Sequence, residues 1–281
     1  MSKSRTVFYW QTFGKIKFVE DKSVTDIHLS SIHFGIETDG QPYIHLNNLY
    51  PEHADFTQVW QELSSAYDQG IDISLMIGGA GGGWSTLFSR YTECYDLLCS
   101  LLRRHRIITG IDLDIEENVD LTQVVRFIRD IKRDFPNFII SMSPLGDSLG
   151  SNSPGMGGFS YNDILKLNLV DYYCGQFYDV FTLDSFDTCI KNGYRPDQVL
   201  MGSMNGSGPA SVVQQVKNKY PTVGGVCSWE YGSQSDPLTW STTMYNILNP
   251  SSIQTEQIQI QNQYSIMKYL PCWRHFNNIY L

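Results

Sequence analysis

Short apolar segments with strand character alternate with amphipathic helical stretches along almost the whole chain. That alternation limits the possible folds more than any other feature. Strands are predicted at 6–10, 28–36, 72–77, 107–116, 138–144, 169–178, 199–205 and 224–229, and helices near 56–69, 91–104, 121–135, 161–167, 181–192, 209–219 and 237–248. Parallel neighbours need a crossover of a dozen or more residues, so strands that each feed a helix pair in parallel. Eight such units match an α/β fold of the (β/α)8 TIM-barrel type, and 281 residues suit one barrel. The competing doubly wound sheet has fewer strands, and no G-x-G-x-x-G turn opens this chain. Residues 39–46 read as a turn and short strand pair after the second strand. The Gln-, Asn- and Ile-rich tail, 251–281, is expected to form closing helices or an arm.

Charge and composition exclude several classes of partner. The net charge is −9, whereas phosphate binding needs a basic face, so no nucleic-acid partner is expected. The one basic cluster, Arg103-Arg104-His105-Arg106, reads as a solvated helix end. No apolar run approaches the roughly 18 residues of a membrane-spanning helix, so no membrane partner is expected. The apolar part of the N-terminus is too short for a signal-peptide core. As written, the chain is expected in the cytoplasm, or outside the cell if a leader has been removed. Six cysteines without C-x-x-C spacing or clustered histidines argue against zinc, and their scatter favours free, mostly buried thiols. The six histidines show no pairing, and none is assigned a role. A 13% aromatic share leaves rings beyond the needs of a core, and such rings often line ligand surfaces.

The segment 107–116 carries the chemistry. In a strand, alternate side chains face opposite sides, so Asp112, Asp114 and Glu116 share one face and Ile111, Leu113 and Ile115 the other. In a barrel the apolar set packs under the helices and the acids point inward. Stacked inward carboxylates are tolerated only when they are paired or share protons, and burial with like charges raises carboxyl pKa values. Glu116 comes last, at the strand-exit mouth where barrel active sites lie. A helix with an acidic face fails on periodicity, since five residues of strict alternation do not fit a 3.6-residue repeat. A magnesium or calcium site is the other rival, but no ligand-rich loop accompanies the acids.

This stretch resembles the D-G-x-D-x-D-x-E signature of family 18 glycoside hydrolases, which include the hevamine-type plant chitinases. Further segments resemble the family in order: Phe8-Tyr9-Trp10 on the first strand, Phe34 on the second, Met76-Ile77-Gly78-Gly79 as an S-x-G-G motif, Met142-Ser143-Pro144, Gln176-Phe177-Tyr178-Asp179, and 224–229 ending in Trp229. The likeness spans 7–249 and implies one family 18-type catalytic barrel over 1–281. Two positions depart from it. Thr109 stands at the first Asp of the signature and Met76 at the usual Ser, and weakened proton sharing is the most that follows.

The resemblance implies a chitinase acting on an oligosaccharide or polysaccharide of β-1,4-linked N-acetylglucosamine, with no cofactor and no metal. Family 18 is the exception among retaining glycosidases in which the substrate's acetamide is the nucleophile. By that resemblance Glu116 is the general acid and later base. Asp114 holds the acetamide N–H, Asp112 shares a proton with Asp114, and Tyr178 donates to the acetamide oxygen. Trp229 forms the floor under the sugar. Gln176, Tyr9, Asp179 and Phe34 are substrate-binding candidates, and so is Trp84, which follows the loop Gly81-Gly82-Gly83. Glu117 is expected to face solvent or to cap the following helix. A monomer is expected. An endo-β-N-acetylglucosaminidase acting on N-glycans would use the same carboxylates, and a sugar-binding lectin on the same barrel is the non-enzymatic alternative.

Overall fold

The computed structural model describes residues 4–14 and 22–250. The expected closing helices or arm at 251–281, and Cys272, lie outside them. The chain begins with β1 (Arg5–Trp10), β2 (Asp26–Ile36) and β3 (Pro42–Leu46), followed by α1 (Thr57–Asp68), β4 (Asp72–Gly78), α2 (Trp84–Ser89) and α3 (Tyr91–Arg104). The acidic strand β5 (Ile108–Asp114) leads through α4 (Leu121–Asp134) to β6 (Ile139–Met142), α5 (Gly146–Gly150) and α6 (Tyr161–Leu165). The last units are β7 (Tyr172–Gln176) with α7 (Leu183–Lys191), β8 (Val199–Met204) with α8 (Ala210–Lys219), and β9 (Gly225–Trp229) with α9 (Pro237–Leu248). No helix among the described residues is long and apolar enough to cross a membrane.

Eight parallel strands close into a barrel, since β1 pairs with both β2 and β9 and the remaining neighbours run in sequence from β4 to β9. This is the (β/α)8 fold expected from the strand count. The ninth strand, β3, folds back antiparallel on β2 through a turn in which Gly40 is left-handed, at φ 83°. The short helices α2 and α5 were not anticipated. With six and five residues they are too short for helical periodicity to register.

Strand parity sorts the side chains into two layers. Val7, Tyr9, Met76, Tyr172, Cys174, Leu200 and Cys227 fill the barrel interior. Residues of opposite parity, such as Phe8, Trp10, Ile111, Leu113, Tyr173 and Val226, pack outward against the helices. The strongest helical stripe is on α4, where Val124, Phe127, Ile128 and Ile131 follow an i, i+3, i+4, i+7 pattern and are fully buried. Each such side chain stabilises the fold by about 1.5–3 kcal/mol. Asp120 caps that helix by accepting the Thr122 N–H at 2.8 Å, and Lys132 and Arg133 complement its C-terminal dipole. Arg103 and Arg104 occupy the last turn of α3 in the same way. Cys94, Cys99, Cys174, Cys189 and Cys227 are buried free thiols.

Candidate active site

The inward row of β5 reaches the strand-exit mouth of the barrel. Asp112 is fully buried, Asp114 nearly so, and Glu116 is partly exposed two residues beyond the strand end. The expected strand ran to Glu116, but pairing stops at Asp114, so the acid sits on the first loop residues rather than in the ladder. Among the described residues its carboxyl has no hydrogen-bond partner, and burial raises its pKa above the ordinary glutamate value.

Asp112 is held by three hydroxyls. Ser141 Oγ donates to Oδ1 at 2.5 Å, Ser143 Oγ to Oδ2 at 2.6 Å and Tyr9 OH to Oδ2 at 3.0 Å. Burial alone would raise its pKa, but His28 and these serines together bring it below the ordinary aspartate value. Asp114 lies in the opposite condition. Burial first, then the charges of Glu116 and Asp112, drive its pKa well above the ordinary value, against a weak opposing hydrogen bond from Gln176 Nε2 at 3.3 Å. The two neighbouring carboxyls are thus pushed in opposite directions, Asp112 towards the charged form and Asp114 towards the neutral one.

The backbone around Asp114 is fixed from β4. Its carbonyl accepts the Gly79 N–H at 2.9 Å and the Trp84 Nε1–H at 3.0 Å. Gly78 is left-handed at φ 97°, and a Cβ there would lie 2.2 Å from both the Asp114 carbonyl oxygen and Trp84 Nε1, so only glycine lets the two strand exits approach this closely.

Beside Asp114 a small cavity of about 250 Å³, counting its open mouth, is lined by Tyr9, Asp114, Ser143, Gln176, Tyr178 and Trp229, with Cys174 and Cys227 deeper in. Gln176 also donates to the Ser143 carbonyl at 2.7 Å, which locks its amide across the cavity wall. Burial pushes the Tyr178 phenol up, so it remains a hydrogen-bond donor. The Trp229 ring stands 5.6 Å from that of Tyr9, tilted by 53°.

The structure thus gathers Asp112, Asp114, Tyr9, Gln176, Tyr178 and Trp229 into one site, but it moves three candidate substrate contacts elsewhere. Trp84 is 1% exposed, begins α2 and packs on Phe88 and Phe127, so it braces the Asp114 backbone instead of lining a cleft. Phe34 has outward parity and is buried in the sheet–helix core, with the Gly83 backbone against its own. Asp179 is exposed and does not line the cavity. Glu117 is a cap, but of α2 rather than of the following helix, accepting the Trp84 and Ser85 N–H groups at 2.9 and 3.2 Å. Thr109 turns to β4, where its hydroxyl meets the Ile73 backbone and Asp72, and it does not touch Asp112.

The sequence reading missed Ser141 and His28. Ser141 shares the inward parity of Ser143, a signal present in the Ser-Met-Ser alternation. His28 has no local signal, yet its Nδ1 lies 3.5 Å from Asp112 Oδ2. His28, Asp112 and Cys174 are the one trio among the described residues that could offer metal ligands. Three hydroxyls already engage the Asp112 carboxylate, so the trio reads as a hydrogen-bonded polar core.

No family sequence model matches the chain, and no curated protein matches it by sequence. Solved structures do. A fungal endo-β-N-acetylglucosaminidase of glycosyl hydrolase family 18 superposes with a TM-score of 0.76 at 26% identity, covering 88% of this chain and 99% of its own. A chitinase from Aspergillus fumigatus gives 0.74 at 25% identity, covering 86% and 98%. A family 18 chitinase from Pseudoalteromonas aurantia gives 0.67 at 18% identity over 87% and 100%, a likeness of fold alone. A barrel of this topology, matched along nearly the full length of these proteins, makes the chain similar in fold to the chitinase-like members of glycoside hydrolase family 18.

Proposed function

We propose that this protein is a retaining glycoside hydrolase that cleaves β-1,4-linked N-acetylglucosamine by substrate-assisted catalysis. The observation that carries the reading is the proton balance at the exit of β5. Asp112 is favoured in its charged form and Asp114 in its neutral form beside a small cavity lined by Tyr9, Gln176, Tyr178 and Trp229, while Glu116 stands at the mouth with a raised pKa. Raised carboxyl pKa values are what general acid catalysis near neutrality requires.

In this mechanism the acetamide arm of the sugar enters the cavity over Trp229. Glu116 gives its proton to the glycosidic oxygen, the C1–O bond breaks, and the leaving sugar departs as an alcohol. The acetamide carbonyl oxygen bonds to C1 and forms a cyclic oxazolinium ion. Asp114 passes its proton to Asp112, and its carboxylate then accepts the acetamide N–H and balances the positive charge. Tyr178 donates to the acetamide oxygen. Water then attacks C1 as Glu116 takes its proton, the bond from C1 to the acetamide oxygen breaks to restore the acetamide, the proton on Asp112 returns to Asp114, and two inversions give net retention.

Hydrolysis of a fluorogenic N-acetylchitooligosaccharide by wild type and Glu116→Gln, over about pH 4 to 8, tests this. A loss of at least about 100-fold in kcat for the variant is expected. Tight oligosaccharide binding without turnover by wild type would replace the enzyme with a lectin. Cleavage within the core of an N-glycan is the second reading, favoured by the endo-β-N-acetylglucosaminidase among the similar structures. A high-mannose glycopeptide assayed in parallel separates the two.

A further inference from the structure

Asp112 lies in register between Ser141 on β6 and Met76 on β4. The β6 side supplies hydroxyl donors. The β4 side supplies a thioether, which has no proton to donate, and Thr109 is turned away to Ile73 and Asp72. Met76 therefore leaves Asp112 without a donor from β4, and the Thr109 hydroxyl on β5 is engaged elsewhere. His28 on β2 stands next to that gap. It lies in register with Tyr9, and the two rings meet edge to face at 4.8 Å.

The imidazole is fully buried, with Nε2 at 3.0 Å from the Tyr172 hydroxyl and Nδ1 at 3.5 Å from Asp112 Oδ2. Nδ1 has no hydrogen-bond partner, and Asp112 Oδ2 is the charged group it approaches. Burial pushes the Tyr172 phenol up, so its hydroxyl keeps a hydrogen available to Nε2. In the tautomer whose Nε2 accepts from Tyr172, Nδ1 carries the hydrogen and faces the carboxylate. We propose that His28 is a positioning residue for the carboxylate pair, its Nδ1–H holding the negative charge on Asp112 and the shared proton on Asp114. This rests on the glycosidase reading above and adds to it a Tyr172–His28–Asp112 chain on the side where Met76 offers no donor.

Other groups face Asp112: Tyr9 from β1, Asp114 from its own strand, Tyr172 and Cys174 from β7, and Tyr161 from α6. Burial keeps the tyrosines and the Cys174 thiol neutral, so the carboxylate pair is the part of the cluster that takes up protons in acid. A second proton on the pair stops turnover, because Asp114 can then no longer pass its own to Asp112. Loss of the His28 donor makes Asp112 easier to protonate, and activity fails at a higher pH.

The test compares pH profiles of kcat/KM for wild type, His28→Phe and His28→Asn. His28→Phe keeps a ring without a donor and should move the acid limb toward neutrality by about one pH unit, a loss of about tenfold on the acid side. The alkaline limb, set by Glu116, should stay in place. His28→Asn keeps an N–H near Nδ1 and should restore most of the shift. A uniform fall at every pH, without rescue by Asn, would overturn the proposal. Nitrogen-15 NMR of the imidazoles, with His28 assigned by its loss in His28→Asn, needs no turnover. Its Nδ1–H resonance should move in Asp112→Asn. If it does not move, the proposal fails even in an active enzyme. If it moves in a wild type that hydrolyses nothing, the glycosidase reading fails instead.

Discussion

Replacing Trp84 by phenylalanine separates a bracing role from a sugar-stacking one. The indole is 1% exposed, and its Nε1–H donates to the Asp114 carbonyl at 3.0 Å. The change removes that hydrogen bond, at a net cost of about 1 kcal/mol, while the carbonyl keeps its bond from the Gly79 N–H. The smaller ring also leaves a void against Phe88 and Phe127, which costs about 1–2 kcal/mol in a site this buried. The sum is about 2–3 kcal/mol. At about 2–4 °C per kcal/mol for a domain of this size, the melting temperature should drop by about 4–12 °C. Because the indole lines no sugar site, KM should stay within about twofold, while kcat falls as Asp114 loses part of its support. Thermal melts and steady-state kinetics on a chitooligosaccharide measure both. An unchanged melting temperature with KM raised about tenfold would refute the bracing role and return Trp84 to the cleft.

Two further predictions concern the same turn. Gly79→Ala should lower both stability and turnover: the residue is left-handed at φ 78°, which costs an alanine about 1–2 kcal/mol. The new Cβ would also stand 2.8 Å from Met76 Cε and 3.4 Å from Asp114 Oδ2. A variant that melts and turns over like wild type would contradict the tight approach described here. Glu117→Gln should cost about 0.5–1 kcal/mol at neutral pH, allowing for solvent screening of a partly exposed group. Burial alone would raise the Glu117 pKa, but hydrogen bonds from Trp84 and Ser85 bring it below the ordinary 4.5. Its stabilisation is therefore complete above that value and lost as pH falls through the lower folded-state value. Melts of the two proteins should differ at about pH 7 and converge at about pH 3.

Much of this protein is written locally in its sequence. Period-2 and period-3.6 patterning places all eight barrel strands and most helices, because the side of an element on which a residue falls depends only on its neighbours along the chain. The same parity puts Asp112 and Asp114 on one inward face, and Gln176 with Tyr178 on another. Tertiary structure decides which inward residues meet. Asp112 is satisfied by Ser141, Ser143 and Tyr9, which are 29, 31 and 103 positions away, and those contacts depend on strand register and barrel closure. Tertiary structure also buries Trp84, which follows three glycines in a loop that reads as a cleft, and turns Glu117 back to α2. His28 shows the limit most clearly. A lone histidine in an apolar strand carries no local signal, and only closure of β2 beside β1 brings its imidazole to the carboxylate of β5.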